Sequence, residues 1–424
     1  MLQVTYLRQQ KDRVLAGLQK RHFAALHLVD AAIALDDKRK ATQLDLDNRL
    51  AEVNRLSKQV GDLMRAGNRA EADSLKQHVV AGKDAIKHAE ETLALVTAEL
   101  HETLVLLPNV PHESVVAGVA AEDNVTVKEW LDAMPHLHTE ALPHWELAAK
   151  YDIIDFELGV KIAGAGFPVY KGKGARLQRA LINFFLDHAV EAGYREVQVP
   201  HVVNEESAYG TGQLPDKEGQ MYFANEDNFY LIPTAEVPIT NIFRNVILEE
   251  AALPQKYCGY TPCFRREAGS YGAHVRGLNR LHQFDKVEIV QVAHPEKSYD
   301  ALNGMVQHVE TLLQKLELPY RILRLCGGDM GFTSAMTYDF ETYSAAQQRW
   351  LEVSSTSCFE TFQANRLQLR YRNAEKKNQL AHTLNGSALA LPRIVATILE
   401  NHQTPNGIKI PAALVPYCGF DTID

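Results

Sequence analysis

Taken from Leu28 in alternating steps of four and three, the chain visits Ala32, Leu35, Arg39, Thr42, Leu46, Arg49, Val53, Leu56, Val60 and Leu63, and 8 of these 11 positions are apolar. A second stripe runs Leu75, Val79, Gly82, Ile86, Ala89, Leu93, Val96, Leu100, Thr103 and Leu107, with 8 of 10 apolar. Between them lies "RAGNRAE", whose Gly67 and Asn68 suit a helix stop and a reversal. The two heptad stripes predict an antiparallel coiled-coil hairpin over about residues 28–104. Arms of ~36 residues would be ~50 Å long at ~1.5 Å per residue, too long to be buried against one small domain. The first arm carries Lys38, Arg39, Lys40, Arg55, Lys58 and Arg65 beside seven acids, so its charge is nearly balanced. The heptads fit a spacer, a dimerisation coil or a binding arm equally well.

After Pro111 the pattern changes. "ARLQRALINFFLDHAVEAG" puts Leu177, Leu181, Phe184, Phe185 and Val190 on one helical face and stops at Gly193. "YREVQVPHVV" alternates Val197 and Val199 before Pro200, and a proline there implies an edge or a break. "MYFANEDNFYLIPT", "FDKVEIVQVA" and "TYDFETYS" read as further strands joined by hairpin-like turns. The expected class is α+β: an N-terminal helical hairpin domain, residues 1–110, then residues 111–424 as an antiparallel sheet flanked by helices. No glycine fingerprint follows a strand in the manner of a Rossmann or P-loop site.

With 424 residues, 46% apolar and 23% charged, the chain exceeds one growing core and reads as ordinary globular protein. The start has Arg and Lys throughout and no secretory pattern, and no run is long enough to span a bilayer, so a cytoplasmic location without membrane contact is expected. Five cysteines form no CxxC pair, which disfavours a zinc knuckle and a disulfide framework. The net charge of −9 argues against indiscriminate nucleic-acid binding.

One segment concentrates chemistry: "CFRREAGSYGAHVRGLNRLHQFDKVEIV", with Arg265, Arg266, Glu267, Arg276, Arg280, Asp285, Lys286 and Glu288 around a glycine-bearing loop. It reads as a charged hairpin, and the density of guanidinium groups suits a ligand rich in phosphate oxygens, which arginine holds with paired hydrogen bonds. Read alone, Glu288 is a solvent-facing strand residue, His282 is structural and Arg393 is an exposed helix-start arginine.

"FRREAG" resembles the second signature motif of class II aminoacyl-tRNA synthetases, "LNGSALALPR" the third, and "GFPVYKGKGARLQRALINFF" through "GYREVQVP" the first. Together with "PNVPHES", "TAEVPIT", "RLHQFDKVEIV", "GGDMGFTSAMTYDFE" and "LEVSSTSCFETFQANR", in this order within a resemblance that runs from about residue 26 to the end, the chain resembles bacterial-type seryl-tRNA synthetases. It departs from the familiar pattern at Arg266, where a serine is usual, in "YGAHV", and in "STSCFETFQANR".

The resemblance implies activation of L-serine with ATP and Mg²⁺, transfer to the 3′ end of tRNA(Ser), and also to tRNA(Sec) where one is present. It implies a homodimer built on the first motif. Arg265 would contact the α-phosphate and the serine carboxylate, Glu267 the adenine amino group from the same strand face, Phe284 the adenine ring, and Arg393 the far phosphates. Arg266, Val353 and Ser354 would line the ATP site, and Glu352 and Ser355 would hold the metal. Thr234, Ala235, Glu236, Glu288 and Ser387 would hold serine, the two glutamates sharing its ammonium and hydroxyl. Lys38, Arg39, Arg55, Lys58, Arg65 and Lys76 would meet tRNA phosphates along the arm. An adenylating paralogue with another acceptor, or a non-catalytic coiled-coil scaffold, would be the other classes open to this sequence.

Overall fold

The protein is described by a computed structural model covering residues 1–216, 219–267 and 275–424. The chain divides into two compact units, Met1–Gln19 with Phe23–Pro108, and Lys20–His22 with Asn109–Asp424.

In the first unit, two short helices, Val4–Gln9 and Lys11–Lys20, precede the helices His27–Arg65 and Arg69–Leu106, of 39 and 38 residues. At 1.5 Å per residue each long helix runs for roughly 57 Å. The reversal is made at Gly67, whose φ is 83°. The amide of Asn68 donates to the Leu63 carbonyl and that of Gly67 to the Met64 carbonyl, closing the last turn by a paired C-terminal cap. Ala32, Leu46 and Val53 are buried against a second helix that buries Ala89, Val96 and Leu100. All predicted stripe positions are buried or half-buried except Arg49, which pairs with Asp45 at 2.6 Å. Glycine at 82 is required by close approach: a Cβ there would lie 2.5 Å from Val53 Cγ2.

The second unit is built on an eight-stranded sheet: β1 (Val125–Trp130), β2 (Arg195–Glu196), β3 (Gln255–Phe264), β4 (Gln283–Ala293), β5 (Tyr320–Arg324), β6 (Met336–Ser344), β7 (Arg349–Glu360) and β8 (His382–Ala390). The spatial order is β1-β5-β6-β7-β8-β4-β3-β2. Every pairing is antiparallel except β2 with β3. The stretch around Pro200 breaks, as one of its two readings had it: β2 ends at Glu196, and Val202–Val203 belong to a separate three-stranded sheet. The helices Gly172–Glu191, Ser298–Lys315 and Leu391–Asn401 share one core with the sheet, contributing Leu177, Phe184, Met305, Leu312, Ile394 and Ile398 to the cluster that holds Val287 and Ile289 of β4. Leu177, Leu181, Phe184 and Phe185 are thus used inside this chain. Among the described residues no helix is long and apolar enough to cross a membrane, and all five cysteines are free and buried.

Candidate active site

The sheet places charged side chains where alternation sends them. On β4, Val287 and Ile289 enter the core, while Phe284 and Lys286 turn to a cavity of about 740 Å³. Its wall also carries Arg265, Glu267, Glu352, Val353, Ser354, Ser355 and Arg393, together with Thr234, Glu236 and Ser387. Thus residues from six separate stretches meet at one opening. Arg266 is exposed and is not on the wall, although its amide donates to the Gln220 carbonyl. Ala235 is fully buried beside Glu236. The loop residues 268–274, including most of "YGAHV", lie outside the described residues.

One end of the cavity is rich in guanidinium. Arg265 donates through Nε to the Pro233 carbonyl at 3.3 Å, and its guanidinium lies 5.2 Å from the centre of the Phe284 ring. Glu267 does not share a strand face with Arg265: β3 ends at Phe264, and Glu267 turns back with a φ of 48°. That left-handed backbone lets its carboxylate pair with Arg280 while still facing the cavity. His282 is held in the structure, its ring stacked 5.5 Å from Phe167 and its Nδ1 bonded to the Arg265 carbonyl.

The helix Leu391–Asn401 is buried at every position except Arg393. Pro392 stands in its first turn, where the missing N–H costs nothing, and Arg393 follows. Arg393 donates to the Glu352 carbonyl at 2.6 Å and to the Asn279 carbonyl at 3.0 Å, with the Glu352 carboxylate 3.7 Å away. A guanidinium at a helix N-terminus is a natural seat for an anion. Ser354 is committed elsewhere, donating to the Ser387 carbonyl at 2.6 Å.

The other end is carboxylate-rich and dry. Glu288 is fully buried, against the expectation of a solvent-facing residue, because β8 and β3 flank β4 on both sides. It pairs with Lys286 at 2.7 Å and receives Thr234 Oγ1 at 3.2 Å and Asn385 Nδ2 at 3.3 Å. Ser387 Oγ stands 3.5 Å from the same carboxylate. Glu236, also buried, receives Gln363 Nε2 at 2.7 Å and Asn385 Nδ2 at 2.8 Å. Burial, and then the charge of Glu288, push the Glu236 carboxyl up to about 7. Lys286 thus pairs with Glu288, and its charge also acts on Glu236.

Lys286 and Asn385 escaped the residue-by-residue expectations, although alternation signals both: Lys286 lies between Phe284 and Glu288 at period two, and Asn385 is two before Ser387. Asp339 was also missed. It faces Ser355 across β6 and β7, leaves Oδ1 unpartnered, and is raised well above the usual carboxylate range by burial and by the charge of Glu352. A half-buried carboxylate with one oxygen unpartnered, beside Glu352 and Ser355, is a hard-oxygen donor set that fits Mg²⁺, which takes few protein ligands and completes its shell with phosphate and water.

Along the arm, Arg39 pairs with Asp36 at 3.0 Å, Arg55 with Glu52 at 2.6 Å, Arg65 with Asp62 at 3.3 Å and Lys76 with Asp73 at 2.7 Å. Lys38 and Lys58 are exposed and have no ion pair among the described residues.

Residues 1–111 match the Seryl-tRNA synthetase N-terminal domain, and residues 221–402 match the tRNA synthetase class II core domain (G, H, P, S and T). The chain is 50% identical to the serine–tRNA ligase of Salinibacter ruber, over 100% of this chain and 99% of that protein, and 46% identical to the one from Akkermansia muciniphila at the same coverage. In structure it is similar to the seryl-tRNA synthetase of Pyrococcus horikoshii complexed with ATP, with a TM-score of 0.92, 31% identity, and 100% and 99% of the two chains covered. It is also similar to the cytoplasmic serine–tRNA ligase of Naegleria fowleri in complex with AMP, with a TM-score of 0.88, 26% identity and the same coverage. With both ends of the cavity carried on a largely antiparallel sheet and both parts of the chain matched over their length, this chain belongs to the seryl-tRNA synthetase family of class II aminoacyl-tRNA synthetases.

Proposed function

We propose that the chain is a serine–tRNA ligase that binds serine at the Glu236–Glu288 end of the cavity and ATP at the Arg265–Arg393 end. The observation that carries this reading is the charge balance at the dry end, where two buried carboxylates face a single lysine. An ammonium group makes up the missing positive charge, and Thr234, Asn385 and Ser387 supply the polar groups that discriminate a hydroxyl from a methyl. At the other end the adenine stacks on the face of Phe284 that Arg265 leaves open, Glu267 accepts from its amino group, and Arg393 holds the outer phosphates.

The serine carboxylate oxygen attacks the α-phosphorus in line, the bond to the bridging oxygen breaks, and pyrophosphate leaves with that electron pair. No side chain acts as a nucleophile, so the chain's work is positioning and charge stabilisation. Arg265 spreads the negative charge that grows on the α-phosphate. Glu352 and Ser355, with Asp339 behind them, would hold Mg²⁺, which when bound neutralises phosphate charge. The terminal adenosine hydroxyl of tRNA(Ser) then attacks the seryl carbonyl and AMP departs; tRNA(Sec) follows the same chemistry where present.

The helical hairpin of residues 1–110 is read as the tRNA-binding part and residues 111–424 as the catalytic part. With its charge balanced, the hairpin binds by shape and by a few placed cations, Lys38 and Lys58 foremost, since Arg39, Arg55, Arg65 and Lys76 must leave an acid to meet a phosphate. A twofold dimer through the solvent side of Gly172–Glu191 and the sheet edge at β2 covers backbone groups that an edge strand otherwise leaves unpaired. The location is cytoplasmic.

The test is amino-acid-dependent exchange of pyrophosphate into ATP. Serine should support it well above alanine or threonine, and the reverse order would overturn the assignment. Arg265→Ala should slow exchange by a factor of about 10² to 10³, the loss of ~3 to 4 kcal/mol of transition-state stabilisation.

A further inference from the structure

Behind the nucleotide end lies a fully buried hydrogen-bonded pair that meets the cavity wall only through Leu278. His144 and Glu400 are both 0% exposed, and His144 Nδ1 stands 2.7 Å from Glu400 Oε1. The opposite ring nitrogen, Nε2, accepts the backbone N–H of Leu278 at 2.8 Å. That bond fixes the tautomer: Nε2 must be bare, so Nδ1 carries the proton and gives it to Glu400. Glu400 also receives the amide of His144 at 3.0 Å, Gln347 Nε2 at 3.0 Å and the Ser344 hydroxyl.

Leu278 sits in the segment that supplies the nucleotide end with two groups. Asn279 gives its carbonyl to Arg393, and Arg280 holds Glu267. The Asn279 side chain is tied back to the same pair, donating to Gln347 Oε1 at 2.9 Å. The approach leaves no slack. Gly277 has a φ of 67°, and a Cβ on it would lie 2.2 Å from His144 Nε2.

We propose that His144, as a neutral imidazole clamped by Glu400, is a positioning residue for ATP: it docks the backbone of Leu278 and thereby sets Asn279 and Arg280, which aim Arg393 and Glu267. The proposal rests on the reading that Arg393 and Glu267 face the nucleotide. It does not extend to the serine end, whose Glu236 and Glu288 have no bond to this network among the described residues.

The experiment measures exchange kinetics of the full chain while ATP and serine are varied separately. His144→Phe keeps a ring and removes both hydrogen bonds, His144→Gln returns an acceptor toward Leu278, and Gln347→Ala cuts the network from its half-buried side. The expected result is a KM for ATP raised about tenfold in His144→Phe and several-fold in Gln347→Ala, with the KM for serine within about twofold and partial rescue in His144→Gln. Should His144→Phe fail to fold, Gln347→Ala decides alone. Equal rises in both KM values, or none, in a folded variant overturn the positioning role. Arg393→Ala separates the two readings: an unchanged KM for ATP there removes the nucleotide assignment and this proposal with it, whereas a raised KM there with an unchanged one in the network variants removes only the proposal.

Discussion

Along the outer length of the hairpin a charged side chain finds its partner three or four residues away, as Arg49 does with Asp45 and Arg55 with Glu52, whereas Asp30, Asp36 and Asp37 near its start also meet Lys11 and Arg8. In the cavity the partners are distant: Thr234 reaches Glu288 54 positions on, Gln363 reaches back 127 to Glu236, and Asn385 reaches back 149. The pairs of Arg49 and Arg55 stand in water and are screened, so each adds little. The cavity pairs are desolvated, so leaving one partner alone is expensive. The same residue types therefore behave differently: the exposed arm charges can exchange partners at little cost, whereas the cavity's are fixed in place.

The sharpest way to break this contrast is to remove one region. Replacing residues 27–106 by a short linker from Leu26 to Leu107 should leave serine-dependent exchange within about twofold and abolish tRNA charging, since the phosphate contacts that supply most nucleic-acid affinity go with the arm. Charging at the normal rate would make the hairpin a spacer. Next, Lys286→Met should destabilise the fold by about 3 kcal/mol, read as a lower urea midpoint, because it strands the buried Glu288 carboxylate. A change under about 1 kcal/mol would mean that the dry end tolerates an unpaired charge.

Glu236 provides a pH handle. Its carboxyl is raised to about 7 in the fold, so the folded chain holds a proton that the unfolded chain releases near 4.5. The protonated form is the one the fold favours, so this stability is fully present below about 4.5, falls as pH rises to about 7 and is flat above, a change of about 3 kcal/mol. Glu236→Gln should remove that slope from unfolding measured across pH 5 to 8. In the unaltered chain the KM for serine should fall as pH rises through about 7, because the ionised carboxylate attracts the ammonium. A pH-independent KM there would detach Glu236 from the substrate. The smallest effect belongs to the arm: Arg55→Ala should leave the thermal midpoint unchanged within about a degree and lower the salt slope of tRNA binding by about one unit or less.

The sequence determined the hairpin almost to the residue, because a seam of period 3.5 and a Gly67 turn are local facts, and burial in a two-helix rod follows them directly. It also determined the pairing of β3 with β4 and the arginine that opens the helix Leu391–Asn401, since alternation and the first-turn proline are written in adjacent positions. Only the tertiary structure decided that Glu288 is dry, that Glu267 leaves the strand by a left-handed turn, and that Lys286, Asn385 and Asp339 belong to the cavity wall or stand beside its key groups. Those outcomes depend on which strands come to lie beside β4 and β7. That order, β6-β7-β8-β4-β3, sets β4 beside β8, with Ala293 opposite His382 and Lys286 opposite Ala390, and no periodicity within a segment carries the identity of so distant a neighbour.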